Sequence, residues 1–515
     1  MPFARRQVLK GAARSIAATL LGFSSSPLTV ARAFAQADAL GEAIPFSRSG
    51  FLEAARALSA QPFEDRRSAM PQPLQAMGYD AYRAMRPGEG WPMALSPADR
   101  FFMDALLGGF VFRQPVDIYL VEGETARRLL FDRSMYVFEP PADQHVPEGE
   151  LPFSGFRLRT ELNNSGVLDE FAVFQGASYF RAVGRGENYG LSARGLAINT
   201  GQPSGEEFPY FRAFYIERPA ADAQAVVVHA LLDSPSTTGA YRITLRPGEA
   251  TVTDVELTLF PRADIGTIGF APFSSMFLFD DINRSAFDDY RDAVHDSEGL
   301  AIHTGRGERL WRPLSNPARL QVSAFVDTTP NGFGLVQRKR DYAAYEDAEA
   351  RYETRPTAWV EPIGDWGRGA VVLFEIPSKE ETNDNIVTYW EPEHPIVAGE
   401  PFSLTYRIHW DALAPSSGAG PKVVNTRHGR NLSGSQELFV IDYEVGDLDV
   451  SRASAAVEAS AGKIRNLTQY TTPTPGILRV SFELDPDAND AIELRASLAI
   501  EGAAPSETWL YRWTG

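Results

Sequence analysis

No cysteine occurs anywhere in the chain, which removes disulfides, thiol catalysis and thiolate metal sites together. Histidine is scarce as well: the seven histidines include no pair at the spacing of a zinc-binding helix. His295 and His303 lie eight apart in what reads as loop and strand, and structural, hydrogen-bonded histidines are the expectation. Positive charge is in deficit, with 49 basic against 67 acidic residues and a formal charge of -18. Such a surface repels phosphate backbones and anionic lipid, so nucleic acid and membrane surfaces are poor partners. A neutral ligand such as a sugar meets no such penalty.

Long apolar runs are missing too. The uncharged stretch Ser15 to Ala31 is rich in Ser and broken by Pro27, too weak to span a bilayer stably. Its setting points elsewhere. Ala4-Arg5-Arg6-Gln7-Val8-Leu9-Lys10 precedes it, and Ala33-Phe34-Ala35 supplies a small-x-small cleavage site before Gln36. Residues 1–35 carry five basic side chains and no acid, a bias unlike an amphipathic helix of a cytoplasmic protein. They read as a twin-arginine signal peptide, and the site of work as the periplasm. Cleavage leaves 44 basic against 67 acidic residues, a formal charge of -23. Stability in that compartment falls to core burial, and length with 44% hydrophobic content allows two substantial domains.

Helical periodicity is confined to the start of the mature chain, at Phe51 to Ala60 and Pro73 to Met85. After residue 110 the pattern is strand. Val116 to Val121, Arg128 to Phe138, Ala225 to Leu232, Ala250 to Phe260 and Leu320 to Val326 alternate or run apolar between Gly, Pro, Asn and Asp. This predicts an all-β fold: a large N-terminal β-sandwich over 36–395, followed by a smaller β-sandwich over 396–515. The boundary is set by the stiff polar connection Glu391-Pro392-Glu393-His394-Pro395 and Ala398-Gly399-Glu400-Pro401. Beyond it, Phe402 to Trp410, Glu437 to Tyr443, Gly476 to Leu484 and Ala491 to Ile500 read as strands of an immunoglobulin-like sandwich.

Familiar motifs fail on inspection. Gly184-Arg185-Gly186-Glu187-Asn188-Tyr189-Gly190 has one residue too many for a dinucleotide loop, and Leu191 to Ile198 does not read as its helix. A glycine-rich hairpin fits better. Asp281-Ile282-Asn283-Arg284-Ser285 with Asp289 and Asp292 imitates a calcium loop, but Ala286 stands where Gly is needed and Asp292 where Glu is needed. No serine sits in a Gly-x-Ser-x-Gly elbow. No metal and no cofactor is implied by any cluster. What stands out is the density of aromatic, Arg and acidic residues from Phe277 to Trp390, including Trp311-Arg312, Arg351-Tyr352-Glu353-Thr354-Arg355 and Trp359. Sugar sites favour this mixture, since aromatic faces cover a pyranose while Arg, Asn and carboxylates take its hydroxyls. Ordinary core aromatics and surface ion pairs would give the same composition.

Longer strings are more specific. Tyr179-Phe180-Arg181-Ala182, Gly190-Leu191-Ser192-Ala193-Arg194-Gly195-Leu196-Ala197, Gly205-Glu206-Glu207-Phe208-Pro209, His295-Asp296-Ser297 and Glu381-Thr382-Asn383-Asp384-Asn385-Ile386-Val387 resemble the periplasmic glucan biosynthesis proteins of the G and D type. The likeness covers essentially the whole mature chain. The twin-arginine leader makes it closer to the D type. The resemblance implies a galactose-mutarotase-like supersandwich for the first domain, often a homodimer, and a role in making osmoregulated periplasmic glucans with a β-1,2-linked glucose backbone. It implies an inverting β-1,2-glucanase or related transglycosylase. The alternatives are a transglycosylase that closes the chain into a ring, and a non-catalytic glucan-binding scaffold in contact with the membrane glucan synthase. It further implies Asp384 as general acid, Asp296 as general base, and Glu381, Tyr352 and Arg355 in the substrate cleft; Trp311 and Trp359 join them as candidate sugar platforms from the composition of the segment. In such a site Asp384 must keep its proton near neutrality, through burial or the carboxylate of Glu381, and an Arg such as Arg355 would keep Asp296 ionised.

Overall fold

Alternating burial is the physical signature of most strands. From Thr251 to Thr258 every second side chain is buried and its neighbour half-buried, as expected where one sheet face meets a core and the other approaches solvent. The computed structural model describes residues 39–88, 91–96, 100–144, 146–414 and 420–515. The signal-peptide reading of 1–35 lies outside these residues. Among them the chain is nearly all β, with two large sheets that dominate the fold.

The first sheet carries, side by side, Asp117–Glu122, Tyr210–Glu217, Val226–Asp233, Thr237–Arg246, Thr251–Pro261, Phe402–Asp411, Thr357–Ile363, Gly332–Val336, Gly299–His303 and Arg309–Pro313. The second carries Gln321–Thr328, Arg368–Glu375, Ile386–Pro392, Ile268–Ser275, Ser192–Arg194, Tyr179–Ala182, Asp169–Gln175, Phe153–Thr160 and Phe102–Leu107. They pack face to face. Phe214 of the first meets Phe156 and Phe174 of the second at 5.0 and 5.7 Å between ring centres, and Trp410 meets Phe273 at 6.2 Å. The all-β sandwich expected from sequence is what forms.

The expected helix over 51–60 is Arg48–Ser59, capped by Ser47, whose hydroxyl accepts from Gly50 N at 3.1 Å. It lies on the outer face of the first sheet, burying Phe51 and Ala55 against Ala240 and Phe260. The second expected helix, over 73–85, is a correction. It forms two short helices, Gln72–Ala76 and Tyr79–Arg83, because Met77 and Gly78 are extended between them. The run 128–138 is also not one strand. Asp132 accepts from Ser134 N and caps a 3-10 turn over Arg133–Met135 that interrupts it. The glycine-rich segment 184–190 does join two antiparallel strands, with Tyr179 opposite Arg194 and Phe180 opposite Ala193.

Toward the C-terminus, Lys422–Arg430, Glu437–Glu444, Ile477–Asp485 and Lys463–Thr471 make a four-stranded sheet. It faces Ser454–Ala459, Ala491–Ala499 and Thr508–Thr514 across Phe439, Phe482 and Trp509. The last three strands continue the first large sheet, since Leu310 and Trp311 pair in parallel with Thr508 and Trp509. Phe402–Asp411, the first strand beyond the expected boundary, hydrogen-bonds between Thr251–Pro261 and Thr357–Ile363 inside the large sheet. We therefore propose that the smaller unit begins after Asp411. Arg338 fastens the two regions: both its terminal nitrogens bind Glu507, at 2.7 and 2.9 Å, and its guanidinium lies 3.5 Å over the Trp311 ring.

Candidate functional site

One short ribbon organises the site. Phe277–Phe279 pairs with Val294–His295, Phe277 standing opposite His295. Asp296 follows directly, its backbone N donating to Met276 O at 2.8 Å, and its side chain is buried. Facing it is the turn Tyr352–Thr354, entered through Arg351 in the left-handed conformation at φ 49°. Arg355 closes that turn. Its Nε and Nη2 donate to Ala350 O at 3.3 and 3.1 Å, which leaves Nη1 free to stand 2.7 Å from Asp296 Oδ1. That contact is a meeting of charges, since Oδ1 accepts no aligned hydrogen bond. Gly190 makes room for it: a Cβ there would lie 3.0 Å from Arg355 Cβ and 3.2 Å from its Cδ.

From Arg355 the contacts run on. Its guanidinium sits 4.7 Å from the Tyr352 ring centre, and the Tyr352 hydroxyl donates to Glu381 Oε2 at 3.5 Å. Arg291 Nη1 holds the same carboxylate oxygen at 2.8 Å and Asp347 Oδ2 at 2.7 Å. Three residues past Glu381, Asp384 is half-buried on the loop that enters Ile386–Pro392. Four of the five site residues implied by resemblance are thus linked by direct contact: Asp296, Arg355, Tyr352 and Glu381. Asp384 joins them through its field, because its charge opposes the ionisation of Asp296.

The electrostatics are unequal. Burial pushes the Asp296 carboxyl above the usual carboxylate range, Arg355 opposes that rise, and Asp384 adds to it. Arg181 and His295 oppose it further. Arg355 thus acts on Asp296 in the direction of the ionised form, and burial outweighs it. Burial also raises the Tyr352 hydroxyl, so the phenol stays protonated and can donate.

Within reach of the Asp384 charge lies the strand pair Tyr179–Ala182 and Ser192–Arg194. Arg194 Nη1 donates to Glu206 Oε1 at 2.7 Å and Nε to Ser274 Oγ at 2.6 Å, with its guanidinium 4.9 Å from the Tyr179 ring centre. Arg194 and Tyr179 both feel the Asp384 charge. Sequence reasoning gave none of these a role, although Tyr179, Arg181, Arg194 and Glu206 all lie in the strings that carried the resemblance. Arg291 and Asp347 had no signal, being isolated in polar loops.

Trp311 and Trp359 are a correction. Both rings are core side chains, 2% and 3% exposed. Trp311 is covered by Arg338, and Trp359 packs against His303 with ring centres 4.7 Å apart. No pyranose face can stack on rings so enclosed. Among the described residues no group of three or more His, Asp or Glu is placed to hold a metal ion, and no helix is long and apolar enough to cross a membrane. Two carboxylates that feel each other's charge, one buried beside a cation and one half-buried, are equipped for paired proton transfer.

Comparison with known proteins gives one consistent result. Residues 46–513 match the family described as "Periplasmic glucan biosynthesis protein, MdoG". The protein named "Glucans biosynthesis protein G" of Shewanella frigidimarina is 46% identical over 481 residues, covering 91% of this chain and 85% of that protein. Those of the same name from Vibrio cholerae serotype O1 and Shewanella putrefaciens are 46% identical over 473 residues, covering 91% of this chain and 87% of theirs.

Proposed function

The chain belongs to the periplasmic glucan biosynthesis protein family, and from that premise we propose that it acts on the β-1,2-linked glucan backbone by inverting glycosyl transfer, to water or to a sugar hydroxyl. Asp384 is the general acid and Asp296 the general base. The observation that carries this reading is the contact of Arg355 with Asp296, a carboxyl close enough to Asp384 to feel its charge. Inversion needs one carboxyl to protonate the leaving oxygen and one carboxylate to take a proton from the nucleophile on the opposite face. Arg355 favours the ionised form of the base while burial keeps that base strong, and a stronger base takes the proton further in the transition state. Asp384, on the more open side, reaches the leaving oxygen. Tyr352 and Glu381 offer a donor and an acceptor to sugar hydroxyls, and the contact with Arg291 holds Glu381 in place.

Hydrolysis and ring closure differ only in what occupies the nucleophile position. Incubating the mature protein with linear β-1,2-glucan decides between them. New reducing ends are the expected result; loss of reducing ends with dehydrated ring masses selects cyclisation, and bound but unchanged glucan selects the scaffold reading. Asp384→Asn is expected to abolish turnover, and full activity in that variant would remove the acid assignment. The same reading places the work in the periplasm, in a homodimer that meets the membrane glucan synthase. The relatives compared carry the G designation, while the closeness to the D type rests on the leader in 1–35.

A further inference from the structure

The two carboxylates stand on segments that are almost ninety residues apart in sequence, yet both segments are fastened to the same ribbon by a buried side-chain amide. Gln337 is fully buried at the end of Gly332–Val336. Its Nε2 donates to His295 O and to Tyr352 O, each at 3.1 Å. One amide group thereby ties the residue before Asp296 to the turn that presents Tyr352 and Arg355. Two carbonyls demand the nitrogen end, so the orientation of this amide is fixed by chemistry. Its Oε1 then accepts from His295 Nδ1 at 3.0 Å, which fixes the proton on that ring nitrogen. The backbone of Gln337 adds a fourth bond, N to Thr357 Oγ1 at 3.2 Å.

Asn385 does the same on the other side. It is 2% exposed and immediately follows Asp384. Its Oδ1 accepts from Phe277 N at 2.8 Å, and its Nδ2 donates to Phe277 O at 2.9 Å and to Ile376 O at 3.0 Å. The side chain takes both backbone groups of Phe277, as a neighbouring strand would. It begins where the backbone ladder ends, one residue beyond the Ser275–Ile386 pair. Phe277 in turn faces His295 across the ribbon. The order Asp384, Asn385, Phe277, His295, Gln337, Tyr352 is thus an unbroken chain of covalent neighbours and buried bonds around the cleft. Buried amides that use both N–H donors and their oxygen rigidify their surroundings, since each lost bond leaves a polar group unpaired in a low dielectric.

We propose that Gln337 and Asn385 are positioning residues that set the placement of Asp296 relative to Arg355 and to Asp384. The catalytic meaning of that placement rests on the function proposed above; the placement itself does not. The test uses the full mature protein with Gln337→Met, which keeps the length of the side chain and removes its amide, and Asn385→Leu. Crystal structures are solved and kcat and KM are measured on linear β-1,2-glucan. In Gln337→Met the Arg355–Asp296 contact, 2.7 Å in the native arrangement, is expected to open beyond about 4 Å, the limit of an ion pair. In both variants kcat is expected to fall about 10- to 100-fold, the scale of an ångström of misplacement, with KM within about 3-fold. If Gln337→Met does not fold, Gln337→Asn retains the amide on a shorter arm and must still lose the Tyr352 or the His295 carbonyl. An unchanged contact, or an opened contact with unchanged kcat, overturns the proposal. A wild-type protein with no turnover refutes the catalytic reading alone, and the separation in the variant crystals then decides this one.

Discussion

Replacing Arg355 by Met asks whether one cation keeps Asp296 usable as a base. The guanidinium nitrogen is 2.7 Å from Oδ1, and Arg355 itself is largely buried at 16% side-chain exposure. Two unit charges about 4 Å apart, at an effective dielectric of about 20, attract by about 4 kcal/mol. At about 1.4 kcal/mol per pH unit this corresponds to at most about 3 units on the carboxyl. The sign is set by what each state prefers. Arg355 favours the ionised carboxylate, so its loss adds to a rise that burial has already begun. Methionine fills the aliphatic part of the space and removes the charge, its grip on Ala350 O and its contact with the Tyr352 ring. The acid limb of the kcat/KM profile on linear β-1,2-glucan is therefore expected to move about 2–3 units toward alkaline pH. At pH 7 the rate falls at least about 10-fold and recovers as the pH is raised. Arg355→Lys retains the charge but loses the paired donors to Ala350 O, and its limb should move by less than half as much. An acid limb that shifts by less than about 0.5 unit in Arg355→Met, or that moves toward acid, refutes the assignment of Asp296 as the base poised by this cation.

Gly190→Ala places a methyl 3.0 Å from Arg355 Cβ; it is expected to displace Arg355 and lower kcat at least about 10-fold without loss of fold, read by initial rates and circular dichroism. Glu187, pushed up from 4.5 to about 7 by burial, holds a proton in the folded state that the unfolded chain has released. Stability contributed there is full below about pH 4.5 and is lost as the pH rises through 7, so Glu187→Gln is expected to be more stable than wild type by about 1–3 kcal/mol at pH 8 and equal to it at pH 4, measured by denaturant titration. Glu507→Gln breaks the two-point ion pair with Arg338 and weakens the acceptor of Val423 N at 2.9 Å. A loss of about 2–4 kcal/mol is expected in the region that joins the C-terminal strands to the large sheet, seen as an earlier calorimetric transition.

Local periodicity made the strands legible wherever one face is buried. Thr251–Pro261 was readable to within a residue or two because burial alternates along most of it, and Val226–Asp233 because it is a short, mostly buried apolar run. Pairing was not, since a ladder is a non-local fact. Nothing in Phe402–Asp411 announces that it inserts between 251–261 and 357–363. Likewise nothing in Leu310-Trp311 predicts a parallel partner near residue 508. The polar, proline-rich connection before Phe402 looked like a domain boundary because linkers and long loops share a composition. The failure at 128–138 has a local cause: the Asp132 cap gives the backbone an alternative to the ladder.

For the site, the misleading signal was aromatic density. Trp is the largest apolar side chain, and Trp311, Trp390, Trp410 and Trp509 are all among the fully buried residues, so in a sandwich this wide the aromatic-rich segment marks where two sheets meet. The informative signal was the reverse: polar residues in places where only burial is on offer. His295, Asp296, Gln337 and Asn385 are each buried. A buried polar group costs a few kcal/mol unless it is paired, so it persists only where its bonds serve packing or chemistry. Three of these four lie in the strings that resembled the family, whereas Gln337 lies outside every such string. Its role depends on two carbonyls, His295 O and Tyr352 O, and a backbone carbonyl leaves no mark in a sequence. Residues that act on side chains can be inferred from composition and spacing. Residues that act by holding backbone become visible only when the fold has brought the carbonyls together.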